Sequence, residues 1–274
     1  MSQGHPDAET LRDLAVALAG GAGDLLTSDR ADDLLPGTKS SPTDLVTVMD
    51  RAAERLILDG LREARPHDAV LAEESGSREG STSVRWIVDP LDGTVNYYYG
   101  IPAYGVSIAA EVDGVVVAGA VYSALHRVVF DAVLGGGARV SGSAACCSSV
   151  TDLSLSLVGT GFSYSAERRA GQGRVAGKLL PQIRDIRRIG AAALDLCAVG
   201  SGHLDAYFEL DLKPWDYAAG LLIAAEAGAR TGTMDSPDGP VVLAAAPGVY
   251  QALAAELERL YTLESTGRTP PLEL

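Results

Sequence analysis

The chain has 274 residues, 47% of them hydrophobic and only 5% aromatic, with a formal net charge of −14. That length can enclose an ample core, and an apolar set dominated by Leu, Val, Ala and Gly suits layered α/β packing. The acidity excludes a nucleic-acid or anionic-membrane surface, because no basic stripe is present to meet phosphates. An acidic chain that handles an anionic substrate needs local positive charge, which a bound metal supplies compactly.

Residues 1–7 read as a flexible end. "AETLRDLAVALAGGAGDLL" has helical apolar spacing at Leu11, Leu14 and Leu18, and a loop "TKSSPTD" runs into a second helix with apolar positions at Val48, Ala52, Leu56 and Leu61. Pro66 closes that helix. "AVLAEES" reads as a short strand ending in Glu73 and Glu74, and "VRWIVD" as another ending in Asp89. From Tyr104 to Val140, β-branched runs separated by Asp113-Gly114 and by glycine clusters predict an antiparallel meander. After a strand in "SLSLVGTGF", the pattern predicts helices near 165–180 and 190–200, a strand in "LDAYFEL", a helix in "WDYAAGLLIAAEAG", a strand in "VVLAAA" and a terminal helix from about Val249. The order implies two sheets packed with helix layers in one continuous body over 8–262. Within it we expect an N-terminal α+β part to about 150, a C-terminal α/β part from 151, and a flexible end over 263–274.

No stretch has the order of a secretory signal, and no apolar run is long enough to span a bilayer, so we expect a cytoplasmic protein without membrane or nucleic-acid partners. Cys146, Cys147 and Cys197 show no CxxC spacing, and His5, His67, His126 and His203 form no HExxH pair. A metal here would be held by oxygen.

Carboxylates gather at element ends. Glu73 and Asp89 end adjacent predicted strands, Asp92 follows across Pro90-Leu91, and Asp216 opens a helix after Trp215. Ligands of α/β sheets collect beyond the carboxyl ends of strands, so these groups are expected in one crevice. Two like charges as close as Asp89 and Asp92 raise each other's pKa unless a cation lies between them, and Mg2+ prefers such oxygen ligands. Singly, a DxxD pair is a solvated turn and Asp216 a helix cap; the case lies in their occurring together.

"WIVDPLDGTVNYYYG" (86–100) resembles the first signature of the inositol monophosphatase family, and "WDYAAGLLIAAEAGA" (215–229) the second. "KSSPTDLVTVMD" (39–50) and "LAEESG" (71–76) match its remaining blocks in order and spacing, while "RRIGAAALDLC" and "AYFE" resemble the bacterial SuhB-type inositol-1-monophosphatases. The resemblance implies a five-layer αβαβα sandwich of the inositol monophosphatase and fructose-1,6-bisphosphatase type, and Mg2+-dependent hydrolysis of myo-inositol monophosphate by a metal-activated water. It implies two or three Mg2+ per site: one at Glu73, Asp89 and the Leu91 carbonyl, a second at Asp89, Asp92 and Asp216, with Glu73 available to a third. Thr94 and Asp50, beside Glu73, would orient the attacking water. Gly93 and Thr94 would meet the phosphate, and Arg187, Ala192, Glu209 and Asp216 the inositol ring. A homodimer follows from the same resemblance.

Some positions depart from the family pattern. Val95, Asn96 and Tyr97 follow "DGT" where a second Thr and Asn-Phe are usual, and "SGSAACCSS" replaces a hairpin tip with Asn-Gly. Lys39 is retained beside the expected metal-site loop. Rival readings are phosphatases of histidinol phosphate, fructose-1,6-bisphosphate or 3′-phosphoadenosine 5′-phosphate, for which only Arg187 and Arg188 stand out as extra basic residues, and a regulatory role through protein contacts.

Overall fold

A computed structural model describes residues 7–28, 37–38 and 45–266; Lys39 and the chain ends at 1–6 and 267–274 lie outside the described residues. Helix α1 (Ala8–Ser28) is followed by a two-residue ladder of β1 (Gly37–Thr38) and β2 (Leu45–Val46), then by α2 (Val48–Ala64). Strands β3 (Ala69–Ala72), β4 (Gly76–Arg78) and β5 (Val84–Asp92) precede the short helix α3 (Thr94–Tyr99). The meander follows as β6 (Gly105–Val112), β7 (Val115–Ser123), β8 (Val128–Val133), β9 (Gly137–Val140) and β10 (Ser143–Ala144). The second half contains β11 (Leu157–Thr160), α4 (Ala166–Leu179), β12 (Asp185–Arg187), α5 (Ala192–Gly200) and β13 (Ala206–Leu210). It ends with α6 (Pro214–Glu226), β14 (Arg230–Ser236), β15 (Gly239–Ala245) and α7 (Tyr250–Ser265).

The first sheet orders its strands β10-β9-β8-β7-β6-β5-β3-β4, the second β12-β11-β13-β15-β14. Strand alternation separates the cores. Trp86 and Val88 of β5 point to α1 and α2, whereas Ile87 points to α5 and α6. Tyr207 of β13 likewise faces α5 and α6, while Phe208 faces α4 and α7. The layers are therefore α1/α2, sheet, α5/α6, sheet, α4/α7: the five-layer αβαβα order, with four apolar seams between layers.

Details differ from the sequence reading. Helix α2 buries Leu61 as expected, but Met49, Ala53 and Ile57 take the inner positions expected of Val48, Ala52 and Leu56, and Val48 is 57% exposed. The cap explains the rotation. Thr47 Oγ1 accepts the N–H groups of Met49 (3.1 Å) and Asp50 (3.4 Å), and Asp50 Oδ2 accepts the Thr47 N–H at 2.7 Å, which turns Asp50 inward. Helix α7 reaches Ser265, beyond the boundary expected near 262. Six strands escaped the pattern: the short β1, β2, β4, β10 and β12, and the polar edge strand β14, which forms a hairpin with β15. The β9–β10 tip is made by Ser141 and Gly142, both at positive φ (47° and 81°), so serine and glycine take the place of Asn-Gly.

Candidate active site

Strand register delivers the acidic residues. β3 runs parallel to β5 with Ala72 opposite Val88, and the Glu73 N–H donates to the Val88 carbonyl at 3.1 Å, which sets Glu73 beside Asp89. Pro90 has no N–H for the β5–β6 ladder, and the register shifts between Asp89 and Asp92. That bulge lets Asp89 and Asp92 both turn inward; they are 2% and 8% exposed. Asp89 Oδ1 accepts the Leu91 N–H at 3.0 Å, closing a turn around the proline.

Gly93, at φ 89°, swings the chain into α3; a Cβ there would lie 3.0 Å from the Ala103 carbonyl oxygen, so the turn requires glycine. Thr94 then places its hydroxyl on Asp50 Oδ1 (2.9 Å) and on the Leu91 carbonyl (3.0 Å). Asn96 Nδ2 donates to the carbonyls of Ala103 (2.7 Å) and Ile189 (2.9 Å), fastening the segment before α5 to this turn.

Helix α5 has no capping side chain of its own. Asp92 supplies the cap: Oδ1 accepts the Ala192 N–H at 3.2 Å and Oδ2 the Ala193 N–H at 2.7 Å. Asp216 reaches back from the first turn of α6 to accept the Lys213 N–H at 2.6 Å, with Pro214 opening the helix. Two helix N-termini thus converge on the carboxylates at the end of β5.

These groups line one cavity of about 510 Å³. Glu73, Asp89, Leu91, Asp92, Gly93, Thr94, Ala192, Glu209 and Asp216 all contribute to its wall. Asp50 lies directly behind Thr94 and is fully buried. Arg187 is the exception among the expected site residues: it turns outward to Asp185 (Nη1 to Oδ2, 2.6 Å), and its neighbour Arg188 lines the cavity instead. Sequence reasoning had noted Arg188 only as a basic neighbour. It missed the rim formed by Ser163, Tyr164, Lys213 and the Arg168–Asp211 ion pair, because these come from loops with no motif of their own.

The electrostatics are those of crowded acids. Burial, then the charges of Glu73, Asp92 and Asp216, hold the Asp89 carboxyl well above the usual range. Burial outweighs the Ala193 N–H and pushes Asp92 up to about 7. Asp216 is likewise raised, chiefly by burial, against the lowering effect of the Lys213 N–H. Among the described residues no three His, Cys, Asp or Glu groups are already drawn into a closed metal cage. The donor set nevertheless fits a hard cation: it is oxygen only, buried, and short of positive charge on the wall that carries Asp89 and Asp92.

A model of the inositol monophosphatase family matches residues 7–265. The inositol-1-monophosphatase of Mycobacterium leprae (strain TN) is 51% identical over 235 residues, covering 81% of this chain and 80% of the relative. The Nus factor SuhB of Escherichia coli (strain K12) is 37% identical, covering 82% of this chain and 84% of the relative. The solved structure of Mycobacterium tuberculosis SuhB superimposes with a TM-score of 0.81 at 43% identity, over 93% of this chain and 98% of that one. With its five layers and acidic cavity, this chain belongs to the inositol monophosphatase family and is a phosphoric monoester hydrolase.

Proposed function

We propose that the protein hydrolyses a myo-inositol monophosphate to inositol and phosphate with Mg2+ as cofactor. The observation that carries this reading is the Thr94–Asp50 hydrogen bond (2.9 Å) at the foot of a wall holding Glu73, Asp89, Asp92 and Asp216. Glu73, Asp89 and the Leu91 carbonyl would hold one cation; Asp89, Asp92 and Asp216 would hold a second. Mg2+ bound there supplies a Lewis acid for the phosphoryl oxygens and lowers the pKa of water. The chain's own residues do the rest. The Thr94 hydroxyl donates its hydrogen bond to Asp50, which leaves the threonine oxygen's lone pairs to accept a hydrogen bond from an attacking water and so orient it. The turn at Gly93 brings backbone rather than side chains against the phosphate. Ala192 and Glu209 face the alcohol end, where a carboxylate can receive neighbouring hydroxyls; Arg188 stands there in place of the expected Arg187.

The reading of 8–262 as one functional body and as a homodimer belongs to the same proposal, and sedimentation analysis tests the dimer. Protein contacts like those implied by the Nus factor name of the Escherichia coli relative are the second reading. A phosphate-release panel decides the matter: inositol 1-phosphate, histidinol phosphate, fructose-1,6-bisphosphate and 3′-phosphoadenosine 5′-phosphate, each with Mg2+ and with EDTA. Preference for inositol 1-phosphate, abolished by EDTA, is expected. Release from another substrate at a higher kcat/KM would overturn the substrate, and no release from any would overturn the catalytic reading.

A further inference from the structure

Glu209 rests in a seat assembled from two neighbouring strands. β11 runs parallel to β13 with Gly159 opposite Tyr207 and Thr160 opposite Phe208, so Gly161 follows opposite Glu209. Alternation therefore aims Tyr207 and Glu209 toward α5 and the cavity, over two glycines on the adjoining strand. Neither glycine is incidental. A Cβ on Gly159 would lie 3.2 Å from Tyr207 Cδ2. One on Gly161 would fall 1.9–2.1 Å from the atoms of the Glu209 carboxylate, inside its van der Waals envelope.

The Tyr207 ring is fully buried among Ala192, Leu196, Val199 and Ala244, and its hydroxyl donates to Glu209 Oε2 at 2.5 Å. A buried phenol needs a partner, and a charge-assisted bond of this length is a strong one. One carboxylate oxygen is thus occupied from behind. Behind this corner, Asp195 of α5 is 1% exposed, with Oδ1 lacking a hydrogen-bond partner and lying 3.0 Å from where a Gly159 Cβ would sit.

We propose that Tyr207 is a positioning residue for the alcohol end of the cavity: its hydroxyl, with the bare Cα of Gly161, fixes the Glu209 carboxylate so that Oε1 is presented to neighbouring hydroxyls of the substrate. This rests on Glu209 facing a polyol. A free glutamate would lose rotamer entropy on binding, whereas a seated one has lost it on folding, so the seat improves affinity without adding a contact. The groups that face Glu209 are Tyr207 on its own strand, Arg188 before α5, Asp211 in the following loop, Asp216 on α6 and Tyr261 on α7. The charges of Asp195 on α5 and Asp92 beyond it also act in this corner. The Tyr207 bond lowers the Glu209 pKa against burial, so its loss moves the ionisation to higher pH.

The test compares Tyr207→Phe, Gly161→Ala and Glu209→Gln on inositol 1-phosphate and on p-nitrophenyl phosphate, across pH 5.5–9 with saturating Mg2+. For Tyr207→Phe we expect KM for inositol 1-phosphate to rise about tenfold with a much smaller change in kcat, the effect of loosening a charged hydrogen bond. The ratio of kcat/KM between the two substrates should fall by the same factor. The pH at which polyol affinity is gained should move upward, which a purely structural loss would not do. Gly161→Ala, which pushes the carboxylate off its seat and leaves Tyr207 intact, should reproduce the fall in the ratio; it decides the matter if Tyr207→Phe does not fold. If Glu209→Gln is selective for the polyol while both seat variants behave as wild type, or lose equally on both substrates, the seat is overturned and the polyol reading stands. Equal loss in Glu209→Gln would overturn the polyol reading itself.

Discussion

Thr94 and Asp50, 44 residues apart, are joined by a hydrogen bond of 2.9 Å from the threonine hydroxyl to Asp50 Oδ1. The other oxygen of Asp50 closes the cap of α2 by accepting the N–H and hydroxyl of Thr47, at 2.7 Å and 2.6 Å. One carboxylate therefore fixes a helix start and orients a hydroxyl at the cavity wall. The two jobs separate by mutation. Thr94→Ala should lower kcat by about two to four orders of magnitude, the range for losing general-base assistance, with little change in KM. Its urea midpoint should stay close to wild type, and Thr94→Ser should recover most of the turnover. Asp50→Ala should lose both turnover and about 1–2 kcal/mol of stability, because it removes the cap. A rise in KM at unchanged kcat in Thr94→Ala would make the threonine a binding group instead.

Asp89 lies at the centre of the acidic wall, buried and surrounded by Glu73, Asp92 and Asp216, all of which raise its pKa after burial has done so. Asp89→Asn removes charge from a place where charge is costly, so the metal-free variant should be at least as stable as wild type in thermal unfolding. Activity should nevertheless vanish, because two cations would share too few anionic ligands. Turnover above a tenth of wild type at saturating Mg2+ would show that Asp89 is no bridge.

The same crowding predicts an unusual pH dependence. Asp92 and Glu209 are each pushed up to about 7 in the folded chain, from ordinary values near 4. Between those limits the folded state holds protons that the unfolded state has released, so stability falls as pH rises through the window. In EDTA, the urea midpoint should decline from pH 4.5 to 7.5, and Asp89 and Asp216, whose carboxyls burial also raises, act in the same direction. Mg2+ binds the ionised carboxylates of the folded state, so it should raise the midpoint strongly at pH 7.5 and weakly at pH 4.5. A midpoint in EDTA that climbs with pH would mean these carboxyls are ionised in the metal-free protein.

The wall could be anticipated because its parts are local. Val84–Asp92 alternates between two apolar seams until proline and aspartate interrupt it, and the parallel pairing of β3 carries Glu73 to Asp89 by register alone. What depends on long-range packing was not legible. Nothing near Asp92 in sequence says that it caps a helix 100 residues away. Arg187 and Arg188 are equivalent in a motif, and only the position of Asp185 on the same short strand turns one out and leaves the other at the cavity. The inner face of α2 was misread because a buried carboxylate, Asp50, carries no hydrophobic signal. β14 was missed because an edge strand with polar residues on its open side has no continuous apolar run. The Gly-Thr-Gly of 159–161 and the Tyr-Phe-Glu of 207–209 acquire meaning only as paired strands.

Under the proposed function, substrate choice turns on Glu209. Its carboxylate lines the cavity and is held at one oxygen by Tyr207, with burial raising its pKa against that bond and against the Arg188 charge. It is therefore a packed residue of the cavity wall, not a solvated strand end. Glu209→Gln keeps the shape and one acceptor but replaces the ionised oxygens with a neutral amide, and charge-assisted hydrogen bonds lost in this way are worth about 1.5–3 kcal/mol. The new amide N–H group can only donate, so the substrate hydroxyls or Tyr207 lose one of the two accepting oxygens that the carboxylate offered. For inositol 1-phosphate, kcat/KM should fall by about 10- to 100-fold, carried mainly by KM. For glycerol 2-phosphate, which cannot present a ring of neighbouring hydroxyls, the fall should be several times smaller. Both constants, measured at pH 8 where the wild-type carboxylate is ionised, give the comparison. Equal losses would make Glu209 a general support of the site, and the preference for inositol would then have to be sought in Arg188, Lys213 and the Ser163–Tyr164 rim.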